Sequence, residues 1–276
     1  MARRPGRLSP EDRAALERAY VALEHPSFAA RIGSILGAPM QQGLRLLPFT
    51  WQMRVQGTVE AAVARALGVA VDSLRHERPE SRQDALHRML AMGTGAAGGF
   101  FGLPALLVEL PFTTVIMLRA VADVANDHGE DLDSLEARLA CMEVFAVGGR
   151  SHGADYAEIG YYEVRAALSL HFATLAGATP ATLPRTVELV RAIAARFGLV
   201  VSDKVALQLT PVVGAVAGAL INALFVRHFQ DVAEGHFTVR ALERRYGREV
   251  VEAAYGKIGT AETAAFRQYA LTAISK

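Results

Sequence analysis

The stretch Val205–Val226, VALQLTPVVGAVAGALINALFV, holds no charged residue in twenty-two positions and carries Pro211, Gly214, Gly218 and Asn222. On a helix, four-residue spacing sets Gly214, Gly218 and Asn222 on one face, along which another backbone can approach closely. A second apolar run, Met89–Leu118, has the same character. Its Gly95 and Gly99, and its Gly98 and Gly102, are four apart, and Glu109 is its one charge. Two such runs call for helix packed on helix. The expected fold is all-α, a compact multi-helix bundle around a central Gly-rich apolar helical hairpin. Residues 9–276 read as a single domain behind a basic tail at 1–8.

Composition agrees with a large apolar interior. The 51% hydrophobic fraction, with 24 glycines added and 7 tyrosines removed from 276 residues, becomes about 57%, against roughly 45–50% for average globular chains. The mean hydropathy of +0.21 points the same way. Either the core is unusually large, or part of the surface meets lipid or an apolar ligand. A net charge of +1 gives no concentrated basic face for nucleic acid. Arg3, Arg4 and Arg7 read as a solvated tail, with anionic headgroups as the sharper alternative. No apolar segment follows that positive start, so a signal peptide is not expected. Cys141 alone forms no intrachain disulfide and no cysteine metal site. The expected location is cytoplasmic, free or peripheral on the inner face of the cell membrane.

Along the chain, Ser9-Pro10-Glu11-Asp12 predicts a helix start with Ser9 as N-cap, running to about Glu24. Residues 26–48 are broken by Gly33, Gly37, Pro39, Gly43 and Pro48. Helical periodicity returns over 49–74, and Ser81-x-x-Asp84 opens another helix, with Pro104 ending or kinking it. The next helix spans 105–128, with Gly129 as its stop. Asp133 or Ser134 caps a helix through Val147, ended by Gly148-Gly149. Further helices are expected over about 157–175 and from 182–184 to Phe197, with Gly198 in the terminating position. Ser202 then caps the central run, which continues to Glu234, followed by pieces at 238–246, 248–255 and 260–274. No period-two pattern bounded by hairpin turns occurs.

Val205–Val226 passes the length threshold of about 18 uncharged residues for a membrane span. Pro211, Asn222 and the abundance of Ala and Gly weaken that reading, and Glu109 in the other run would cost at least about 2.5 kcal/mol at a bilayer centre. A buried hairpin is the expectation. Gly93-x-Gly95-x-x-Gly98 matches the dinucleotide fingerprint as text, but follows a predicted helix instead of a strand. His228 and His236, eight apart, with Asp231 and Glu234 would reach a metal only on an unbroken helix; a solvated helix end is the plainer reading. Ser151, His152 and Asp155 have triad types without triad spacing. Glu158 and Glu163 point to different faces, so no acid/base pair is assigned. No catalytic residue, metal or cofactor is expected.

Polar residues stranded in apolar surroundings are the candidate site. Glu109 needs a cation, hydrogen-bond donors or a raised pKa if buried, and Arg165, beside Tyr162, is its candidate partner. Arg119 and Asp123 are four apart and suited to pair. These residues and Asn222 read either as a structural polar network or as the polar floor of an apolar pocket. Trp51 reads as a core or interface aromatic.

The chain resembles the EcsC family of bacterial proteins in four blocks. They are TGAAGGFFGLPALLVELPFTTVIMLRAVADVANDHGED (94–131), EVFAVGG (143–149), GYYEVRAAL (160–168) and SDKVALQLTPVVGAVAGALINALFVRHFQDVAEGHFTVRALERRYG (202–247). The resemblance covers about 84–247, with Glu109 where Asp is expected as often. It implies a bacterial helical protein, cytoplasmic or membrane-associated, and carries no reaction, cofactor or catalytic residue with it. A tie to transport or secretion comes from the family name alone.

The leading expectation is a non-enzymatic, membrane-peripheral or apolar-ligand binding protein whose partner is membrane lipid or a lipid-like small molecule. Two alternatives stand beside it. One is a lipid-active or hydrolytic enzyme with its site near Glu109, Arg119, Tyr162 and Arg165. The other is a scaffold protein of a membrane complex.

Overall fold

Ser9 opens the first helix by the means its sequence announces. Its hydroxyl accepts the Asp12 N–H at 3.1 Å and donates to the Asp12 carboxylate at 2.8 Å, with Pro10 at the first helical position, where its missing N–H costs nothing. The computed structural model describes residues 7–25, 49–72, 98–149, 160–176, 183–208 and 215–274. All regular structure among them is α-helical. In chain order these are α1 (Pro10–Glu24), α2 (Phe49–Asp72), α3 (Gly98–Asp127), α4 (Leu135–Val147), α5 (Tyr161–Ala176), α6 (Leu183–Gln208), α7 (Ala215–Tyr246) and α8 (Arg248–Ile274).

The helix enclosed on every side is α4. Each residue from Ala137 to Val147 is buried, and α2, α3, α5, α6 and α7 all pack against it. Its sequence explains this: past the exposed Glu136, apolar residues fall on every side of LEARLACMEVFAV, with Arg138 and Glu143 as the buried charges. Ser134 caps it, its hydroxyl accepting from the Ala137 N–H at 3.1 Å. Arg138, near its start, donates to the Ala70 carbonyl in the last turn of α2 at 3.3 Å, where a cation is favoured. One continuous core then draws on all eight helices. At its centre Phe145, Phe197, Phe225 and Phe229 stack at ring separations of 5.3–6.1 Å, arrangements that add to area burial.

The described parts of the two apolar runs do meet, since α3 packs on α7. They run in the same direction: Lys204 ties Glu109 to Asn222 at one end, and Glu130 binds Arg240 and Arg244 at the other. The run 205–226 is not one rod. Its start closes α6 and its later part opens α7, with 209–214 outside the described residues. Gly95 and Gly214 also fall outside them. So does the packing around Gly98, Gly99, Gly102 and Gly218, which stand in α3 and α7.

A glycine and a proline read as stops lie inside helices. Gly198 sits within α6 because Phe197, Val200, Val201 and Val205 continue a fully buried stripe past it, outweighing the roughly 1 kcal/mol a helical glycine costs. Ser202 is therefore an interior residue of α6 and not a cap. Helix α3 continues through Pro104, and α7 runs unbroken past Glu234 and Gly235 to Tyr246. Gly235 lies where α1 crosses: a Cβ there would meet Leu23 Cγ at 3.0 Å and the Ala19 carbonyl at 3.2 Å. The last two predicted pieces are one helix, α8. True stops are Gly129 and Gly247, with φ of 75° and 88°.

Candidate functional site

Four helices each contribute one face to a cleft of about 220 Å³. From α4 come Glu136, Leu139, Ala140 and Glu143, and from α5 come Arg165, Ser169 and Phe172. Arg240 enters from α7 and Arg248 from the first turn of α8. The spacings of three, four and seven are those that line up side chains on a helix. Leu139, Ala140 and Phe172 make the apolar wall.

The floor is a buried ionic network. Arg165 grips Glu243 with both Nη atoms, at 2.8 and 3.0 Å, and its guanidinium lies over the Tyr161 and Tyr162 rings at 5.3 and 5.7 Å. Arg240 holds Glu130 with two bonds, at 2.8 and 3.1 Å, and reaches Glu136 at 3.2 Å. Arg244 donates to the same Glu130 carboxylate. Such forks are strong and geometrically specific. Burial alone would push Glu130 up, but Arg240 and Arg244 outweigh it and hold its carboxyl below the usual range.

Glu143 is the exception in this network. It is 6 % exposed. Its Oε2 stands 3.7 Å from Arg165 Nε and 3.4 Å from His236 Nε2. Among the described residues neither Glu143 Oε2 nor His236 Nε2 has a hydrogen-bond partner. Burial pushes the Glu143 carboxyl up to about 7, against the pull of Arg165 and Arg240. Burial also pushes His236 well below its usual value, helped by Arg165 and Arg240, so the imidazole is neutral. Its Nδ1 lies 3.0 Å from the Tyr161 hydroxyl, and Tyr161 is fully buried.

These three groups form a chain along which a proton can be placed in two ways. With Glu143 protonated, its O–H points to Nε2 and Nδ1–H donates to Tyr161. With Glu143 ionised, Nε2–H points to the carboxylate and the Tyr161 hydroxyl donates to Nδ1. In both, the carboxyl oxygen that faces His236 is buried away from solvent.

A second buried cluster lies where α3, α6 and α7 meet. Lys204 is fully buried and donates to Asn222 Oδ1 at 2.6 Å and to Glu109 Oε1 at 3.5 Å, with its ammonium 4.8 Å from the Phe225 ring centre. Thr113 donates to the same Glu109 oxygen at 3.3 Å. Burial lowers the Lys204 pKa, and Glu109 opposes that shift.

The residues singled out from sequence therefore divide. Glu109 and Asn222 come together through Lys204. Tyr162 and Arg165 belong to the network under the cleft. Glu109 is thus paired with Lys204, and Arg165 with Glu243; the expected Glu109–Arg165 pair is replaced by two others. Arg119 stands on the exposed face of α3 and Asp123 is buried in it, and neither lines the cleft. Both His228 and His236 are buried, so neither marks a solvated helix end. His228 Nε2 lies 2.9 Å from the Gly148 carbonyl. No group of three metal-ligand side chains occurs among the described residues. Ser151, His152, Asp155 and Glu158 lie outside them. Trp51 is partly buried and packs against the core.

Glu143, Arg240 and Lys204 went unassigned, and His236 carried only the readings of a metal ligand or a solvated helix end. Glu143 and Lys204 carry the same signal that marked Glu109, a charge inside an apolar stretch (CMEVFAV and VVSDKVAL). His236 and Arg240 are marked only by their four-residue spacing on α7.

Among the described residues no helix is long and apolar enough to cross a membrane. Comparison with curated proteins finds no match, and comparison with solved structures finds none either. Residues 50–242, from the start of α2 to near the end of α7 and including most of the cleft, match the EcsC protein family. The chain belongs to the EcsC protein family.

Proposed function

We propose that this protein is a non-enzymatic binding protein, peripheral to the membrane, that holds the polar head of a lipid-like molecule in the cleft between α4, α5, α7 and α8. The observation that carries the reading is the buried Glu143 Oε2, without a hydrogen-bond partner among the described residues, on a side chain that lines the cleft among arginines and beside an apolar wall. A nine-tenths-buried polar atom without a partner carries a cost that a ligand would relieve. The volume of about 220 Å³ is below the roughly 300–1,000 Å³ of sites that enclose a whole drug-sized ligand. The cleft thus encloses a head and leaves the apolar stem outside, along Phe172.

Native mass spectrometry and solvent extraction of the purified protein test this, together with flotation on liposomes. Expected are a co-purified amphiphile and protein rising with the vesicles. Ser169→Trp, which plugs the cleft from an exposed position on α5, should abolish ligand retention while leaving the fold intact. Protein that stays wholly in the soluble fraction and carries no lipid removes the proposal.

A second reading rests on the pKa of Glu143. A carboxyl near 7 beside a neutral histidine suits general acid–base work on a lipid-like substrate. Glu143→Gln separates the two readings, since a binder keeps its ligand whereas an enzyme keeps binding and loses turnover.

A further inference from the structure

Resting on the reading of the protein as peripheral to the membrane, and independent of the cleft, we propose that the outer side of α2, with the Phe112 edge of α3, docks on an anionic phospholipid surface. At about 3.6 residues per turn, Arg54, Ala61 and Arg65 fall on one line along α2, with Gly57, Ala64 and Gly68 beside it. All six are exposed. A Cβ at Gly57 or Gly68 would have nothing within 4 Å among the described residues. Arg54 lies over the Trp51 ring at 5.0 Å, and Arg65 over the Phe112 ring at 5.1 Å. Neither arginine meets a carboxylate among the described residues. Between them the line carries no acid. Glu60 lies on the flank of the helix and accepts from Gln56 at 3.4 Å. Glu109, one turn before Phe112, is held by Lys204. Asp72, on the same line, closes the helix two turns past Arg65.

The face thus sets two positive charges about 16 Å apart along the helix, with small residues between them and an aromatic ring under each. Phe112 and Met53, on opposite borders of it, are 48 % and 53 % exposed, so two large apolar side chains meet water here as well. A guanidinium lying on a ring keeps charge and apolar surface side by side. That pairing suits the boundary where headgroup phosphates give way to acyl chains. The small residues let the helix come close to that boundary, and a negative leaflet attracts each arginine. A second copy of the chain fits this face poorly. A two-fold interface puts the same patch on both partners, and antiparallel α2 helices centred on this line bring each Arg54 to the other's Arg65 with no acid between. Nucleic acid is served no better, because two arginines release few counterions.

Flotation of the full chain on phosphatidylcholine vesicles, with and without phosphatidylglycerol, tests this at low and high salt. The wild type should partition more strongly onto the anionic vesicles, and lose that advantage in high salt as screening sets in. Arg54→Gln combined with Arg65→Gln should lower partitioning onto anionic vesicles about thirtyfold, a factor of about five for each arginine. Phe112→Ser should weaken binding to both kinds of vesicle. Arg18→Gln combined with Lys257→Gln removes the same two charges from exposed positions on α1 and α8, and should leave partitioning near the wild-type level. All these positions are exposed, and circular dichroism checks that each variant is folded. Equal losses in the two double variants, or a wild type that floats equally on both kinds of vesicle, overturn this face and leave the peripheral reading standing. A wild type that floats on neither overturns both, and lipid extraction then shows separately whether the cleft holds an amphiphile. A dimer that Ala61→Trp converts to monomer assigns the face to a second copy and overturns the inference.

Discussion

Burial keeps Glu143 protonated over a range in which an exposed glutamate has already ionised, from 4.5 up to about 7. Between those values the native state holds a proton that the unfolded chain has released, so this group's contribution to stability falls as pH rises through the window and is level above it. His236 acts oppositely: its folded pKa lies well below the usual 6.5, so it takes stability away as pH falls through 6.5. The two slopes oppose each other in the wild type, and the difference between variants is the cleaner reading. Glu143→Gln should gain on the wild type by about 3 kcal/mol between pH 4.5 and pH 8. Urea unfolding at those two pH values measures it, and a constant difference would mean that the Glu143 pKa is not raised in the folded protein. That Arg165 and Tyr162 matter could be read from a charge and a phenol on a helix that must bury one face. Glu143 was as legible, since a lone acid in CMEVFAV has no more business in a core than Glu109 has. What no local pattern contains is the partner, because pairing is decided by which helices cross.

At the scale of helices, glycine has opposite consequences at different places. Gly149 stands where the end of α4 reaches the backbone of α6, and a Cβ there would run into the Arg196 carbonyl. Gly57 in α2 has nothing within 4 Å of the same position. Gly149→Ala should destabilise by about 3 kcal/mol, since backbone has no rotamer by which to give way. Gly57→Ala should stabilise by about 1 kcal/mol through helix propensity. Denaturant midpoints for the pair provide the comparison, and equal effects would rule out close α4–α6 packing. Close backbone approach was expected of glycine in this sequence; that Gly149 would provide it was not, because Gly148-Gly149 looks like an ordinary helix terminator. Gly198 misled in the other direction. A stop and a crossing point use the same residue, and only the neighbouring helix distinguishes them. Caps fared better, at Ser9 and Ser134, because a cap is complete within four residues.

For the molecule as a whole, the family-matched segment and the packed unit differ in extent. Helix α1 lies before the matched residues and all of α8 after them, yet Leu16, Leu23 and Val251 are fully buried and Tyr255 nearly so. Side-chain contacts hold both ends of α1, to α7 through Asp12 and to α8 through His25. Asp12 is held below its usual pKa first by the Tyr246 hydroxyl and then by Ser9 and Arg245, and His25 meets Glu262 at 3.0 Å. Glu24 accepts from the Tyr255 hydroxyl at 2.8 Å and from the Tyr161 N–H at 3.1 Å, which places a carboxylate on the positive end of α5. The segment 49–246 alone should therefore lose cooperative unfolding and bind a hydrophobic dye, whereas 7–274 should melt in one transition. Calorimetry of both fragments distinguishes them, and a sharp transition in the shorter one would refute the claim.

The Glu24 bond links two things that would otherwise vary independently. A trim at the family's edge would remove the counter-charge from the N-terminus of α5, the helix that carries Arg165, so the loss of α1 would register at the cleft as well as in the core. A substitution at Glu24, outside the family-matched residues, thus reaches the cleft through α5.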